Sequence, residues 1–490
     1  MYDIEKIRKR RMIKIIITDI IIACCVLAVS AILIAVVAGW RVNSDLTVEQ
    51  NGIVSVHTKP TNAKVYFDDN NDDFLTTNTS KMLSSGKHTV RIEKEGYTSW
   101  QKEIEIVPGW LVRLEYPRLY KINRETKEIK DFKNLNFFIS SPNRNIAIAN
   151  ENDSNELIVV DDFNAENPNF KSINLENVFP SLKNVRLKNG LKISHWNKDN
   201  QKIIASVGDE WGIIDLKNEN GTINLSAELK NYKNDENIPL NANVDLSSIK
   251  FENDAGDKII ANIDNNLVRI DVTAKNITKA LDEKVEKFNS LGSTIIYLTK
   301  DSTENRQIKL ATLGNNQTIT LAKVKQADKA VTFGLTRYNN VSYILYTIEN
   351  KIKVYRAKDF PTSSQDKASM TKIIDEGLDF TPVLTTTSNN NEFIIPRNNQ
   401  NIAVFDIELE KFHSYNYGDN LVRFLDDCTF YKINKNGELE VWDFDNTNHN
   451  TIANNMANSL FDAFISPNER QLYRIKNTEN GTKLVREKLW

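Results

Sequence analysis

Cysteine is scarce: three residues in a chain of 490. Cys24 and Cys25 are neighbours inside an apolar run, and Cys428 stands apart far downstream. A disulfide framework and a cysteine-rich zinc site are therefore excluded. Glycine (17) and proline (11) are also sparse while asparagine is abundant. Turns are expected to lean on Asn and Asp, which tolerate the left-handed backbone region. The five histidines are His57, His88, His195, His413 and His449. No two share metal-ligand spacing, and H-E-x-x-H does not occur. G-x-S-x-G, G-x-x-x-x-G-K-[ST] and G-x-G-x-x-G are missing too, so no hydrolase elbow, P-loop or dinucleotide fingerprint is present. The net charge is −2, with no overall basic signal for nucleic acid. No catalytic, cofactor-binding or metal-ligating residue emerges, ligand-binding residues stay unassigned, and no cofactor is expected. His195 beside Trp196 reads as a packed residue near a turn.

What the chain does have is one long apolar stretch, Ile20 to Ala38, without a charge and with a single hydroxyl, Ser30. As a helix it spans roughly 30 Å, the thickness of the hydrocarbon core. Residues 1–14 carry six basic and two acidic side chains, a local charge of +4 that leaves −6 for the rest. The positive-inside rule then places residues 1–14 as a cytoplasmic tail, residues 15–40 across the membrane and the bulk of the chain outside. Lys14 and Asp19 fall in the first turns of the expected helix, where Lys14 can reach the headgroups. Trp40 fits an interfacial anchor. Two rival readings stay open. Val36-Val37-Ala38 resembles a signal-peptidase site, although the apolar run is long for a signal peptide. Ile21-Ile22-Ala23-Cys24 loosely matches a lipoprotein box, although the chain stays apolar for 14 further positions.

After a spacer at 41–50 the hydrophobic period becomes 2. Ile53–Thr58, Ala63–Phe67, Gly86–Ile92, Glu103–Val107 and Leu111–Leu114 read as strands of a small antiparallel β-sandwich over 51–119. The order of strand, Pro-x-x-Ala-x-Val-Tyr, Gly-x-His-x-Val, Gly-Tyr-x-x-Trp and strand resembles a PEGA domain. Pro60-Thr61-Asn62-Ala63 agrees with the Pro-Glu-Gly-Ala tetrapeptide at Pro and Ala only. Asn62 in the glycine position is a mild change, since Asn also reaches positive φ. The resemblance implies an exported surface module with no chemistry of its own. Asp68-Asp69-Asn70-Asn71-Asp72-Asp73 opens like a calcium loop, but Asp73 and Thr79 stand where the glycine and glutamate should be. A solvated hairpin tip is preferred.

Residues 120–490 carry a repeat. An apolar strand, often ending in Asp, occurs at Leu157–Asp161, Gly212–Asp215, Leu267–Asp271, Ile402–Asp406 and Leu439–Asp443. Degenerate copies lie at Ile308–Ala311, Ile352–Tyr355 and Lys483–Arg486. The mean spacing is about 46 residues. Upstream polar turns appear at Ser140-Ser141-Pro142-Asn143, Asn197–Asn200 and Ser466-Pro467-Asn468. Four short strands per repeat imply a β-propeller, similar to Trp-Asp-repeat and TolB-like propellers. Eight copies argue for eight blades, with seven open if one copy is a loop. A pair of sandwiches is the alternative. The ring is expected to close through a strand near Leu111–Ile122. Long loops near 164–190 and 217–247 are the expected binding regions. Blade-ending Asp residues are expected to cap turns.

The chain thus reads as mostly β: an N-terminal single transmembrane α-helix, a small PEGA-like β-sandwich, then a 7–8-bladed β-propeller. The expected function is a membrane-anchored extracytoplasmic scaffold of the cell envelope, non-enzymatic, in contact with the lipid bilayer through residues 15–40. Its expected ligands are an envelope protein or a cell-wall glycan bound by the propeller, and not nucleic acid. One alternative is an envelope glycan-cleaving enzyme with carboxylates in the propeller funnel. Another is a structural wall-binding spacer.

Overall fold

The computed structural model describes residues 4–42, 48–68, 74–184, 187, 190–234, 238, 244–279, 282–301, 303, 305–315, 317–418, 421–458 and 460–490. The chain divides into two compact units, one of Met1–Asn123 with the terminal Trp490 and one of Arg124–Leu489.

The first unit begins with a helix, Ile4–Val37, unbroken by glycine or proline. It is long and apolar enough to cross a membrane by length and composition. The helix takes in all six basic residues of the segment expected as a tail, so Lys14 and Asp19 lie several turns inside it rather than at its start. Its end is set by Gly39, whose φ of 84° supplies the left-handed turn that stops a helix. Ala38 N donates to Ile34 O and Gly39 N to Val36 O.

Strand Trp40–Val42 follows at once and pairs antiparallel with the start of Val48–Val56. Much of the stretch expected to be a spacer is therefore sheet. Strand Val48–Val56 also pairs with Thr79–Ser84 and, in parallel, with Leu111–Leu114. The expected all-antiparallel sandwich is corrected at that one parallel edge. The second sheet runs Phe74–Thr76, Lys64–Phe67, Gly86–Glu93, Trp100–Ile106. Inward residues at period 2, among them Val54, Val56, Val65, Val90, Ile92 and Trp100, fill one core. Asn62 does take positive φ, at 60°.

In the second unit the described residues form eight four-stranded sheets in chain order. All eight apolar copies seen in the sequence are the third strand of a sheet, so none is a loop and a pair of sandwiches is excluded. The second strands explain why the sheets stack as a propeller. Their apolar runs are buried on both faces, and adjacent residues serve different neighbours. Ile203 packs towards the first sheet and Ile204 towards the third. Ile259 and Ile260, then Ile295 and Ile296, repeat the division one sheet further on. Each wedge between sheets is thus filled from both sides.

Closure comes from strand Thr126–Phe132, which pairs antiparallel with Gly481–Lys488 and forms the outer edge of the last sheet. The expected closing strand near Leu111–Ile122 is wrong: Leu111–Leu114 is used in the first unit. Phe138 and Ala147 of the first sheet share a core with Phe464 and Tyr473 of the last. Arg124 Nε binds Glu487 Oε2 at 2.9 Å, and Arg474 Nη2 binds Glu487 Oε1 at 2.6 Å. All three side chains are nearly inaccessible, so one carboxylate clamps the beginning of this unit to its end.

The turns repeat the same chemistry. Ser141, Ser388 and Ser466 each accept the backbone N–H five residues on, from Ile146, Phe393 and Gln471. Each also donates its hydroxyl to an Asn two residues on: Asn143, Asn390 and Asn468. The positive-φ position of these turns holds Arg144, Asn391 and Glu469. Among the described residues, 14 of the 20 non-glycine positive-φ residues are Asn or Asp, which is how the chain folds with so little glycine. The strand-ending aspartates cap turns: Asp215 Oδ1 accepts Lys217 N and Asn218 N, and Asp406 Oδ1 accepts Glu408 N and Leu409 N.

Replacing Glu487 tests the clamp. Glu487→Ala leaves two buried guanidinium groups without their carboxylate, and the expected loss is about 3–5 kcal/mol. Urea unfolding of the full chain, followed at the propeller's tryptophans, measures it. A change within about 0.5 kcal/mol would show that the clamp does not hold the ring.

Candidate functional site

The first strands line the middle of the propeller, since first strands of neighbouring sheets contact one another. Polar links step across the junctions there. Ser194 Oγ donates to Ile249 O, and Lys250 Nζ to Asn289 Oδ1 at 2.6 Å. Asn289 Nδ2 donates to Phe333 O, Lys287 Nζ to Val331 O, and Thr332 shares a hydroxyl bond with Thr385. Arg397 Nη1 donates to Val422 O, and Arg423 pairs with Asp462 at 3.0 Å. Asp462 Oδ2 then accepts Ser140 N, which returns to the first sheet. Burial holds the Lys250 ammonium down to about 8 and lowers Lys287 and Arg397 from their usual ranges.

The buried carboxylates among the described residues are Asp406, Asp426, Asp443, Asp462 and Glu487. Asp426 accepts Cys428 N and Thr429 N, and Asp443 accepts Asn448 Nδ2. With Asp406 capping its turn and the other two in ion pairs, each is engaged inside the fold. Among the described residues no group of three His, Cys, Asp or Glu could hold a metal. Asp68 accepts Thr89 N and contacts His88 Nδ1 at 2.9 Å; the remainder of the calcium-like stretch, 69–73, lies outside the described residues.

One recess combines charge and apolar surface. Its volume is about 450 Å³, and Val383, Leu384, Arg397, Asn398, Tyr417 and Leu421 line it. Leu384 opens the first strand of the sixth sheet and Arg397 ends the second, paired directly across. The wall is held by Asn398: its Oδ1 accepts Gln400 N and Asn401 N, and its carbonyl accepts Tyr417 OH at 2.6 Å. Val383, Leu384 and Leu421 remain exposed. Arg397 is part-buried, and among the described residues no carboxylate pairs with it. A cation on an apolar wall can bind an anionic group attached to apolar surface.

The sequence did not mark this recess, because its residues come from four separate short segments and none belongs to a motif. The long loops it did mark are partly structural. Leu175, Val178, Phe179 and Leu182 fill the wedge between the first and second sheets, and Leu225, Leu229 and Tyr232 fill the next. His195 sits against Phe251, whose backbone N–H donates to His195 Nδ1 at 3.3 Å. His413 and His449 pack on Phe444 and Trp442.

The two-sheet sandwich around Pro60–Ala63 agrees with a known family. Residues 51–118 match the PEGA domain model. The rest of the chain lies outside the PEGA match. The solved C-terminal WD40 domain of Sif2 is similar in structure at a TM-score of 0.43 and 9% identity, covering 74% of this chain and 97% of that one. No curated protein matches the sequence.

His195 gives a pH test. Burial, with the Lys250 cation second, holds its imidazole down to about 3, against an ordinary 6.5. The unfolded chain binds the proton first, so this contribution is full above about pH 6.5 and is lost as pH falls towards 3. Between pH 7 and pH 5 the wild type is expected to lose about 1–2 kcal/mol more than His195→Gln, read from paired urea titrations. Equal losses would mean that the ring is not held neutral.

Proposed function

We propose that the chain is a membrane-anchored extracytoplasmic scaffold of the cell envelope. In this reading the helix Ile4–Val37 crosses the bilayer with its basic end inside, and the PEGA match and the propeller lie outside. The scaffold is non-enzymatic and binds a protein or a glycan through the propeller. The observation that supports this reading is that every described buried carboxylate is held in a turn cap or ion pair within the fold. The recess around Arg397 supports binding, because it offers a part-buried cation beside exposed apolar side chains.

The test uses the full chain in lipid nanodiscs, incubated separately with solubilised envelope proteins and with wall glycan. Arg397→Ala is expected to weaken retention of the bound partner about tenfold or more, as loss of a charged hydrogen bond does. Circular dichroism should be unchanged. Soluble fragments released from the glycan would overturn the non-enzymatic reading. Glycan retention indifferent to Arg397 would favour a wall-binding spacer instead.

A further inference from the structure

The first unit carries an exposed apolar patch beside the end of its helix. Trp110 is 68% exposed, Met82 51%, Leu111 46%, Val107 43% and Ile53 42%. Ile53, Met82 and Leu111 are direct cross-strand partners, so they form one row on the outer face of the sheet. Trp110 and Val107 are exposed in the turn just before Leu111, in a stretch from Val107 to Val112 without a charge. A tryptophan and four aliphatic side chains exposed at one edge of the sandwich mark a contact surface.

The position of that turn says what covers the patch. Gly109 N donates to Asn51 O at 2.9 Å, and Asn51 N donates to Gly39 O at 2.8 Å. A Cβ on Gly109 would lie 2.7 Å from Val37 O, and one on Gly39 would lie 2.3 Å from Asn51 O. The 107–110 turn is therefore packed against the last carbonyls of the helix with no room for a side chain. The turn thus lies level with Val37 on the helix. Resting on the reading that this helix crosses a membrane, we infer that the sandwich sits directly on the bilayer, with Trp110, Trp40 and their aliphatic neighbours in the headgroup zone. Indole rings prefer that zone, where the ring is half apolar and the N–H stays wet. Arg41, exposed beside Trp40, lies where lipid phosphates would be. The packing of this turn against the end of an apolar, membrane-length helix favours lipid over a protein partner.

The experiment places an environment-sensitive fluorophore on single cysteines of the full chain in nanodiscs. Cys24→Ala and Cys25→Ala clear the background, and Cys428 is buried. Trp110→Cys and Leu111→Cys report the patch. Glu95→Cys, in the exposed turn just past the far end of strand Gly86–Glu93, is the solvent control. Leu27→Cys, inside the helix, reports the anchor itself. Lipids carrying a spin label near the headgroup should quench positions 110 and 111 at least about twofold more than position 95. Lipids labelled deep in the chain should quench position 27. Quenching at 27 with none above control at 110 and 111 would overturn the seating and leave the anchor intact. Absence of quenching at 27 as well would overturn the anchor, and the seating with it.

Discussion

The second unit depends on one constraint: a row of sheets stacked face to face has two raw ends, and they must meet. Each second strand buries both faces, with alternate residues committed to different neighbours, so a missing neighbour would expose half of them. The ends meet twice over. Phe138 and Ala147 pack on Phe464 and Tyr473, and the strand Thr126–Phe132 completes the last sheet. The pairing joins residues more than 340 positions apart, since Thr482 lies opposite Phe132. A contact of such sequence separation carries a large loop-closure entropy and raises the contact order of the fold. Glu487 then holds Arg124 and Arg474 at the same seam.

Much of this was legible in the residues. The third strands announced themselves because they are buried, nearly continuous in Val, Ile and Leu, and end where an Asp can cap the next turn. The Ser-Pro-Asn turns could be read because a hydroxyl and an amide two residues apart satisfy the same backbone groups each time. The closing strand Thr126–Phe132 was harder. It is an outer edge strand, mostly exposed and rich in Lys, Glu and Asp, and it has no period to betray it. The parallel pairing of Leu111–Leu114 was also hidden, since a strand's residues do not tell which partner or direction it takes.

The candidate site was the least legible. Leu384, Arg397, Tyr417 and Leu421 come together because the second and first strands of the sixth sheet bring Leu384 opposite Arg397, while Asn398 fixes the return to Tyr417. Sequence proximity carries none of that. The long loops also have a structural part that length does not show: Phe179 and Leu225 are apolar plugs in the wedges between sheets. In a propeller, side chains that close gaps and side chains that greet ligands are drawn from the same connecting segments, and only the packing separates them.

The junction at Gly39 has a mechanical consequence. A helix that ends in a loose linker acts as a tether, and its cargo can swivel. Here the helix passes through only Ala38 and Gly39 into a paired strand, and Gly109 packs against Val37 O with no room for a side chain. The joint is a stiff elbow rather than a swivel. Any tilt of the helix axis is carried into the sheet as a lever arm, and the sandwich reports the angle at which the helix stands.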